Sequence, residues 1–355
     1  MQEVKTHNIE VPNCIGPSIN LNCMIDRVNE MPPQNYLFRG IKVPSIGAIF
    51  GVPKAGKTIV AECLGYHVAA NRSKFIGDNI YSGNGRVLLI SLEEYYPSRT
   101  ERNEKQIKYI TKLYDLDPVW INNIFVVDES FPKHLLTDAD WKLLDDEIAR
   151  IQPTMVMIDS LTRLTIEPIE DSTVATKLMK KLREITYKHN IAMVLIHHTH
   201  KMENRPITLA TLAGSRVIGQ ELDFMIGINR TSDNERYIKD VAYRYAADDS
   251  EFVTKFIIND HLVVESFGPA IEYKLLEGTV SSEDRNQNDI LISEYFLEFT
   301  QGDASVVVET KNLAEYFVIP RVMSKPTMYS CLERLVESGL IYKVDKGKYA
   351  LKDPS

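Results

Sequence analysis

The segment Gly51-Val52-Pro53-Lys54-Ala55-Gly56-Lys57-Thr58 decides the fold of this 355-residue chain. It matches GxxxxGK[ST], in which glycines let the backbone curl so that successive N–H groups face a polyanion. An apolar run precedes it and a helical pattern follows, so the positive end of a helix adds to the site. We predict that the lysine binds the β- and γ-phosphates of ATP and that the threonine binds Mg²⁺. The residues predicted to contact the nucleotide are Gly51, Pro53, Lys54, Ala55, Gly56, Lys57, Thr58 and Ile59.

A carboxylate should complete the metal site, because an aspartate at the tip of a buried strand holds the Mg²⁺ ion beside a bound triphosphate. Asp159 ends the apolar run 155–158 and is the best such residue in the chain. Asp128, after the run 124–127, is a weaker competitor, and an ordinary capping aspartate is the alternative interpretation of Asp159. We predict Thr58 and Asp159 as the Mg²⁺ residues.

Hydrolysis also needs a group that orients or deprotonates the attacking water. Glu93 and Glu94 follow an apolar run at 87–91, which is predicted to form the strand next to the phosphate-binding one. This position makes them candidates for the role, although adjacent surface glutamates are common. The position alone leaves the assignment open.

The order of apolar runs predicts an α/β fold with a mostly parallel sheet. Near-continuous apolar runs alternate with amphipathic helical patterns, which is typical of parallel strands buried on both faces. After residue 228 three strand patterns follow closely, and they predict an antiparallel extension at one sheet edge. The predicted parallel strands are 46–50, 87–91, 124–127, 155–159, 192–197 and 224–228, the later strands 236–244, 252–258 and 261–266, and the helices 58–70, 138–151 and 173–188.

Four segments are predicted along the chain. Residues 1–40 contain four prolines and form a loosely structured N-terminal lead-in, and residues 41–276 form the nucleotide-binding domain. The polar residues 277–288 form a linker. Residues 289–355 form a small second domain whose order of elements predicts a winged helix-turn-helix. Its predicted helices are 289–299, 310–317 and 325–338, the last capped by Ser324, and its strands are 340–344 and 348–351.

Composition and charge exclude several classes of protein. With 44% hydrophobic residues the chain is globular rather than disordered, and a net charge of -8 argues against a surface that is basic throughout. The apolar runs are too short to cross a bilayer. The cysteines form no CxxC pair, which argues against a zinc ribbon or a disulfide framework and favours a reducing cytoplasm. We expect a cytoplasmic protein with no membrane segment.

The chain resembles the RecA-like ATPases in the order and spacing of its motifs. The similarity is greatest to the plasmid RepA-type branch of hexameric helicases, which is related to the DnaB replicative helicases, and it covers residues 36–267. It implies a RecA-like P-loop fold and a homo-oligomeric ring, with a hexamer favoured, whose ATPase core acts on single-stranded DNA. The motifs are the loop at 51–58, ISLEE (90–94), VMIDS (156–160), VLIHHTHK (194–201) and LAGSRVIGQELD (212–223).

The resemblance assigns roles to residues at the strand ends. It places Glu93, rather than Glu94, at the family's catalytic glutamate and Asp159 at its metal-binding aspartate, with Lys57 as the phosphate-binding lysine. His198 or His197 falls on the residue that senses the γ-phosphate.

The histidines also allow other interpretations. A metal site at 197, 198 and 200 is disfavoured, because neighbouring strand residues point to opposite faces and no fourth ligand is evident. Ordinary packing at a strand end is the remaining alternative. Lys201, Arg205 and the loop 212–216 follow at the same sheet edge, and the resemblance implies that they contact DNA in the central channel.

The resemblance also implies a cation that reaches the ATP site of a neighbouring subunit, where charge grows in the transition state. Lys239 and Arg244 resemble the family's finger pair. A pair of solvated charges at a strand edge is the alternative.

The tail from 324 to 349 is similar to winged-helix domains of transcription factors. Lys343, Lys346 and Lys348 in the predicted wing suit phosphate contact, whereas Glu333 and Glu337 would repel phosphate. Duplex DNA, RNA and a protein partner all remain possible for this domain.

These observations predict a Mg²⁺-dependent ATPase that acts on DNA, of the RepA-like replicative helicase type. One alternative is an ATP-dependent loader or switch that recruits partners without unwinding. Another is a regulator whose winged helix binds one DNA site and whose ATPase is sensory.

Overall fold

A computed structural model of the chain describes residues 17–199, 205–231, 235–247, 252–277, 282–320, 322–323 and 325–352. The predictions made for His200, Lys201 and the Ser324 cap fall outside these residues. The helices are α1 (Leu21–Asn29), α2 (Lys57–Ala69), α3 (Tyr96–Leu113), α4 (Asp138–Ile151), α5 (Ser172–His189), α6 (Arg216–Glu221), α7 (Glu272–Glu277), α8 (Ser282–Thr300), α9 (Thr310–Leu313) and α10 (Lys325–Glu337). The strands are β1 (Tyr36–Phe38), β2 (Ile41–Lys42), β3 (Ser45–Gly51), β4 (Lys74–Phe75), β5 (Asp78–Asn79), β6 (Val87–Ser91), β7 (Ile124–Val126), β8 (Met155–Asp159), β9 (Ala192–His198), β10 (Phe224–Arg230), β11 (Arg236–Tyr243), β12 (Phe252–Ile258), β13 (Val264–Ile271), β14 (Val308–Glu309), β15 (Ile341–Asp345) and β16 (Lys348–Leu351).

Nine of the described strands form one sheet, in the order β13-β12-β11-β10-β3-β9-β8-β6-β7. The strands from β10 to β7 in this order are parallel to one another. The strands β11, β12 and β13 extend the β10 edge in antiparallel pairs. The predicted α/β fold, with a mostly parallel sheet and an antiparallel extension, is confirmed.

The central strands are buried along their whole length. All residues of β3, β6 and β8 are buried, which explains why their sequences are nearly unbroken apolar runs. The helix α2 contacts β6 and β13 and is buried on most of its surface, so its sequence lacks the polar face of an exposed helix.

Short polar residues determine where two of the outer helices begin. In α4 the Thr137 and Asp140 side chains each accept a hydrogen bond from the other's backbone N–H, at 3.2 and 2.8 Å, which forms a capping box. In α5 the Asp171 carboxylate accepts hydrogen bonds from the N–H groups of Thr173 and Val174. Both helices turn an apolar stripe inward, as the sequence predicts.

The N-terminal lead-in, the last strand of the sheet and the linker differ from the predictions. The lead-in is not loosely structured throughout, because α1 forms between Pro17 and Pro32 and begins where the Asn20 side chain accepts the N–H of Asn22. The last strand of the sheet starts at Val264 rather than at 261. The helix α8 starts at Ser282, so the second half of the predicted linker is helical.

The chain forms two compact units. The larger unit ends at Glu272, and the main part of the smaller unit begins at Tyr273. In the smaller unit the described strands β14, β16 and β15 form a sheet in that order. Its core includes Phe296 from α8, Phe317 from the π-helical turn after α9, and Leu332 from α10. The three helices and the two later strands follow the predicted order, whereas the strand β14 between α8 and α9 was not predicted.

None of the described helices is both long and apolar enough to cross a membrane. Cys63 and Cys331 are buried free thiols.

Candidate active site

A cleft of about 670 Å³ opens at the carboxyl ends of β3, β6, β8 and β9. Ligand sites in parallel α/β sheets lie at this edge, where the loops and the helix N-termini face the same space. The structure brings nine of the candidate residues together here: Lys54, Gly56, Lys57, Thr58, Ile59, Glu93, Glu94, Asp159 and His198. Gly51, Pro53 and Ala55 belong to the same loop but do not line the cleft.

Two glycines give the phosphate-binding loop its shape. Gly56 has a φ of 103°, which disfavours any residue with a Cβ, and it immediately precedes α2. Gly51 packs against the neighbouring strand, and a Cβ there would lie 1.8 Å from the carbonyl oxygen of Ile228. Both positions of the motif therefore need glycine for reasons of backbone geometry.

The Lys57 ammonium is bound by the carbonyl groups of its own loop. Its Nζ donates hydrogen bonds to the carbonyl oxygens of Gly51, at 3.1 Å, and Val52, at 3.0 Å. Burial lowers the pKa of Lys57 to about 8, and the nearby charges of Asp159 and Glu93 act in the opposite direction. A phosphate at this point would supply the negative charge that the buried ammonium needs.

Thr58 and Asp159 are in direct contact at the floor of the cleft. The Thr58 hydroxyl donates a hydrogen bond of 2.5 Å to Oδ2 of Asp159. Burial, together with the charges of Glu93 and Glu62, raises the pKa of Asp159 to about 6, against the effect of the Thr58 hydrogen bond. A bound cation would favour the ionised carboxylate.

The chemistry of these two side chains fits Mg²⁺, which prefers oxygen ligands and often takes only one or two from the protein, with the rest from phosphates and water. In the described part of the chain no group of three or more His, Cys, Asp or Glu side chains could hold a metal ion. Thr58 and Asp159 are the predicted residues whose contact in the cleft could hold Mg²⁺ together with a nucleotide.

Glu93 lies beyond the end of β6, where its carboxylate meets the segment that follows β8. Oε1 of Glu93 accepts a hydrogen bond of 2.5 Å from the Ser160 hydroxyl. The backbone fixes this neighbourhood, because Ser91 pairs with Asp159 and the Leu92 N–H donates to the Asp159 carbonyl at 2.6 Å. Ser160 is joined to Asp159 by a cis peptide bond.

Glu94 has a different environment from Glu93. Its carboxylate forms an ion pair with Arg102, which also donates to Glu62 on α2 at 2.7 Å. Burial acts to lower the pKa of Arg102, but the hydrogen bonds and charges of the two glutamates raise it. Glu94 is thus part of a structural ion-pair network, whereas the ion pair of Glu93 with Arg163 is longer, at 3.6 Å.

The sequence analysis did not single out Glu62 or Arg102. Glu62 is 1% exposed and also accepts a hydrogen bond from Asn103. The available signal was a glutamate inside the otherwise apolar pattern of α2. A buried carboxylate needs a cationic partner, so this glutamate indicated a nearby lysine or arginine.

The two histidines at the end of β9 face opposite ways. His198 is half-buried in the cleft, and burial and the charge of Lys57 lower its pKa. His197 is buried elsewhere, with Nε2 2.9 Å from the carbonyl oxygen of Ala213, and burial lowers its pKa to about 4. The backbone adds a second link to the same loop, since the Ala213 N–H donates to the carbonyl of His198 at 3.0 Å. Strand β9 therefore connects the cleft with the loop 212–216.

Three further residues that line the cleft were not predicted from the sequence. They are Arg236, Ile258 and Leu262. The Arg236 guanidinium has a buried Nε without a hydrogen-bond partner in the described structure. The position of Arg236 follows from the pairing of the strands. Arg236, the first residue of β11, pairs with Phe256 of β12 and with Arg230 of β10.

Lys239 and Arg244 do not lie in the cleft of their own chain. Lys239 is 6% exposed and forms an ion pair with Glu272, so the alternative of a solvated charge is wrong for it. Its role as a finger stays a prediction, which would require this pair to break. Arg244 forms an ion pair with the buried Asp223 at 3.0 Å. It follows Tyr243, which pairs with the first residue of β10, so it lies at the opposite end of the sheet from the phosphate-binding loop.

The remaining predicted residues lie outside the cleft. Asp128 is exposed after the edge strand β7 and binds Ser130, so it does not compete with Asp159 for the metal. Arg205 and Arg216 are exposed, while Leu212 is buried.

Comparison with protein families agrees with this geometry. A family model described as an AAA domain matches residues 22–204, just over half of the chain. The match includes the phosphate-binding loop, Glu93, Asp159 and His198. Comparison with the curated proteins found no match.

Proposed function

Because this chain belongs to the AAA-domain family of P-loop ATPases, we propose that it binds ATP with Mg²⁺ in the cleft above β3 and hydrolyses it. The observation that carries this proposal is that Lys57, Thr58, Asp159 and Glu93 line one cleft although three separate segments supply them. They provide a cation for the phosphates, a hydroxyl and a carboxylate for the metal, and a base. These are the groups that phosphoryl transfer to water requires.

Each side chain has a defined task in this proposal. Lys57 exchanges the carbonyl groups of Gly51 and Val52 for the β- and γ-phosphates, and Thr58 exchanges Asp159 for the metal. Bound Mg²⁺ supplies charge neutralisation at the phosphate oxygens. Glu93 orients the attacking water and accepts its proton.

The nucleoside is proposed to lie against the apolar part of the cleft lining. Ile59, Ile258 and Leu262 offer apolar surface, and Arg236 lines the same cleft. The turn that carries Leu262 is fixed by Gln106 of α3, which donates to the Leu262 carbonyl at 2.9 Å. An apolar surface with one planar cation suits a purine base.

DNA is the proposed partner of the ATPase core, in a homo-oligomeric ring of the RepA-like type. Two hydrogen bonds join Ala213 to the end of β9, next to the cleft. A change at His198 can therefore be transmitted to the loop 212–216 and to the exposed Arg216. Together with Arg205, this edge of the sheet offers cationic groups for a phosphate backbone.

The C-terminal unit is proposed to be a winged helix that binds duplex DNA or a protein. Its helix α10 precedes the hairpin of β15 and β16. The hairpin carries Lys343, Lys346 and Lys348, although Lys348 lies 3.5 Å from Glu309. The protein alternative remains, since an ion pair of this kind weakens the attraction for phosphate.

The first test measures ATP turnover with and without single-stranded DNA, together with the native mass of the protein. We expect an oligomer whose turnover rises with DNA. A monomer whose turnover is indifferent to DNA would contradict the ring proposal but leave the nucleotide site intact. Absence of turnover under all conditions would contradict the proposed hydrolysis.

An ATP-dependent loader or switch is the second candidate, and one observation favours it. Both proposed finger residues are engaged within their own chain, Lys239 with Glu272 and Arg244 with Asp223. Strand displacement on a forked duplex, with Glu93→Gln as control, separates the candidates. DNA-stimulated hydrolysis without displacement supports the switch. A footprint at one defined site that survives deletion of residues 1–280 would support the regulator instead.

A further inference from the structure

The two oxygens of the Glu93 carboxylate differ in their hydrogen bonding. Oε1 accepts the Ser160 hydroxyl at 2.5 Å and lies 3.4 Å from the Thr162 hydroxyl, and these two hydroxyl oxygens are 2.7 Å apart. Arg163 approaches the same oxygen at 3.6 Å. Oε2 has no hydrogen-bond partner among the residues that the structure describes.

The two hydroxyls are carried by a segment that is anchored by buried residues. Ser160 is fully buried and follows the last residue of β8, which pairs with β6. Thr162 lies in the 3-10 helix Leu161–Leu164, where Leu161 and Leu164 are buried. By contrast, Glu93 is in a loop and has three rotatable side-chain bonds. The hydroxyls therefore restrict a side chain that its own backbone leaves mobile.

We propose that Ser160 and Thr162 are positioning residues for hydrolysis, which hold Oε1 of Glu93 so that Oε2 faces the attacking water. This inference rests on the proposed ATPase function and deepens it. In the step, the water oxygen forms a bond to the γ-phosphorus and the bond to the bridging oxygen of the β-phosphate breaks. ADP leaves with that electron pair, and Oε2 of Glu93 accepts the proton of the water.

The arrangement explains why hydroxyls suit these two positions. A lysine or arginine in close contact would hold the carboxylate in an ion pair, as Arg102 holds Glu94. A hydroxyl orients the carboxylate through one oxygen and leaves the negative charge available for the proton. Arg163 contacts the same oxygen only at 3.6 Å, and a long ion pair of this kind on a partly exposed surface is weak.

The test compares kcat and KM for ATP in Ser160→Ala, Thr162→Val and Thr162→Ser. We expect Ser160→Ala to lower kcat about tenfold, since it removes a hydrogen bond to a charged group, with KM and ATP binding nearly unchanged. Thr162→Val should lower kcat several-fold, and Thr162→Ser, which keeps the hydroxyl, should restore it. Thr165→Val is the matched control, because the Thr165 hydroxyl bonds only within its own loop to Glu167 and should be dispensable for turnover.

A second measurement separates positioning from a general structural effect. In the Glu93→Gln background, Ser160→Ala and Thr162→Val should change the residual kcat less than twofold, because both act through the carboxylate. If they lower kcat equally in both backgrounds, or leave it unchanged in the parent, the proposed positioning role is wrong. The proposed ATPase activity is not contradicted by either result. If the parent does not hydrolyse ATP, or if Glu93→Gln keeps full kcat, the proposed function fails first.

Discussion

The Lys57 ammonium is buried and donates hydrogen bonds to two carbonyl oxygens. This arrangement predicts how its removal affects ATP binding. A hydrogen bond between a cation and a phosphate contributes about 1.5–3 kcal/mol, so we expect Lys57→Ala to weaken Mg·ATP binding at least tenfold. Titration calorimetry would measure the change. Lys142→Ala is the control, because Lys142 is exposed on α4 and does not line the cleft. Equal affinity of Lys57→Ala and the parent would mean that the loop binds no triphosphate.

The pKa of Asp159, about 6, predicts opposite effects of pH on the free and the bound protein. Its folded pKa lies above the ordinary carboxyl value, so Asp159 contributes stability at low pH that is lost as the pH rises through about 6. Metal binding needs the ionised carboxylate and strengthens over the same range. We therefore expect the rise in Tm caused by Mg·ATP to grow between about pH 5 and pH 7.

The nucleotide itself also titrates near neutral pH, and a variant separates the two effects. Asp159→Asn cannot ionise, so the rise in Tm that remains in it reports the nucleotide alone. The growth with pH should be clearly larger in the parent than in Asp159→Asn. Identical profiles would show that Asp159 does not contribute to metal binding.

At the scale of elements, the ion-pair network between α2 and α3 gives a stability prediction. Arg102→Met leaves Glu62 buried without its cation, which should cost about 3–5 kcal/mol in the free energy of unfolding. The double variant Glu62→Gln/Arg102→Met should be more stable than Arg102→Met, because it removes the uncompensated charge. Lys108→Ala, which breaks an exposed pair with Glu104, should leave the free energy of unfolding almost unchanged. Urea unfolding measures all three, and a near-zero cost for Arg102→Met would contradict this account.

The central strands could be predicted because strands that are buried on both faces have nearly unbroken apolar sequences. The strands β6 and β8 are five consecutive residues each, ended by Ser91 and Asp159, and their predicted bounds agree with the structure. The same holds for β12, although it lies in the antiparallel extension.

Other features depend on side-chain contacts that local patterns do not contain. The last strand of the sheet starts late because the Asn259 side chain accepts the N–H groups of His261 and Val263 and holds them in a turn. Arg236 reaches the cleft through strand register, and Glu62 meets Arg102 across 40 residues of sequence. The position of Lys239 could not be foreseen either, since its partner Glu272 lies 33 residues away.

At the scale of the whole molecule, the position of Arg244 bears on the proposed ring. The strand β11 runs antiparallel to β10, so Arg236 lies at the end near the phosphate-binding loop and Arg244 at the other end. Arg244 can therefore act on ATP only in a second copy of the chain. Head-to-tail contacts of this kind repeat around a ring, and each site then takes its residues from two subunits.

Mixing two inactive variants tests this division of the site. The Lys57→Ala subunit loses its nucleotide site but keeps Arg244. The Arg244→Ala subunit keeps its nucleotide site but loses the cation that would act on a neighbouring site. Random mixing should restore about a quarter of the parent turnover, because that fraction of the interfaces joins an intact site to an intact finger. A mixture of Lys57→Ala with Glu93→Gln should stay inactive, since both changes damage the same half of the site. If native mass shows mixed oligomers and the first mixture still does not recover, Arg244 does not act across the interface.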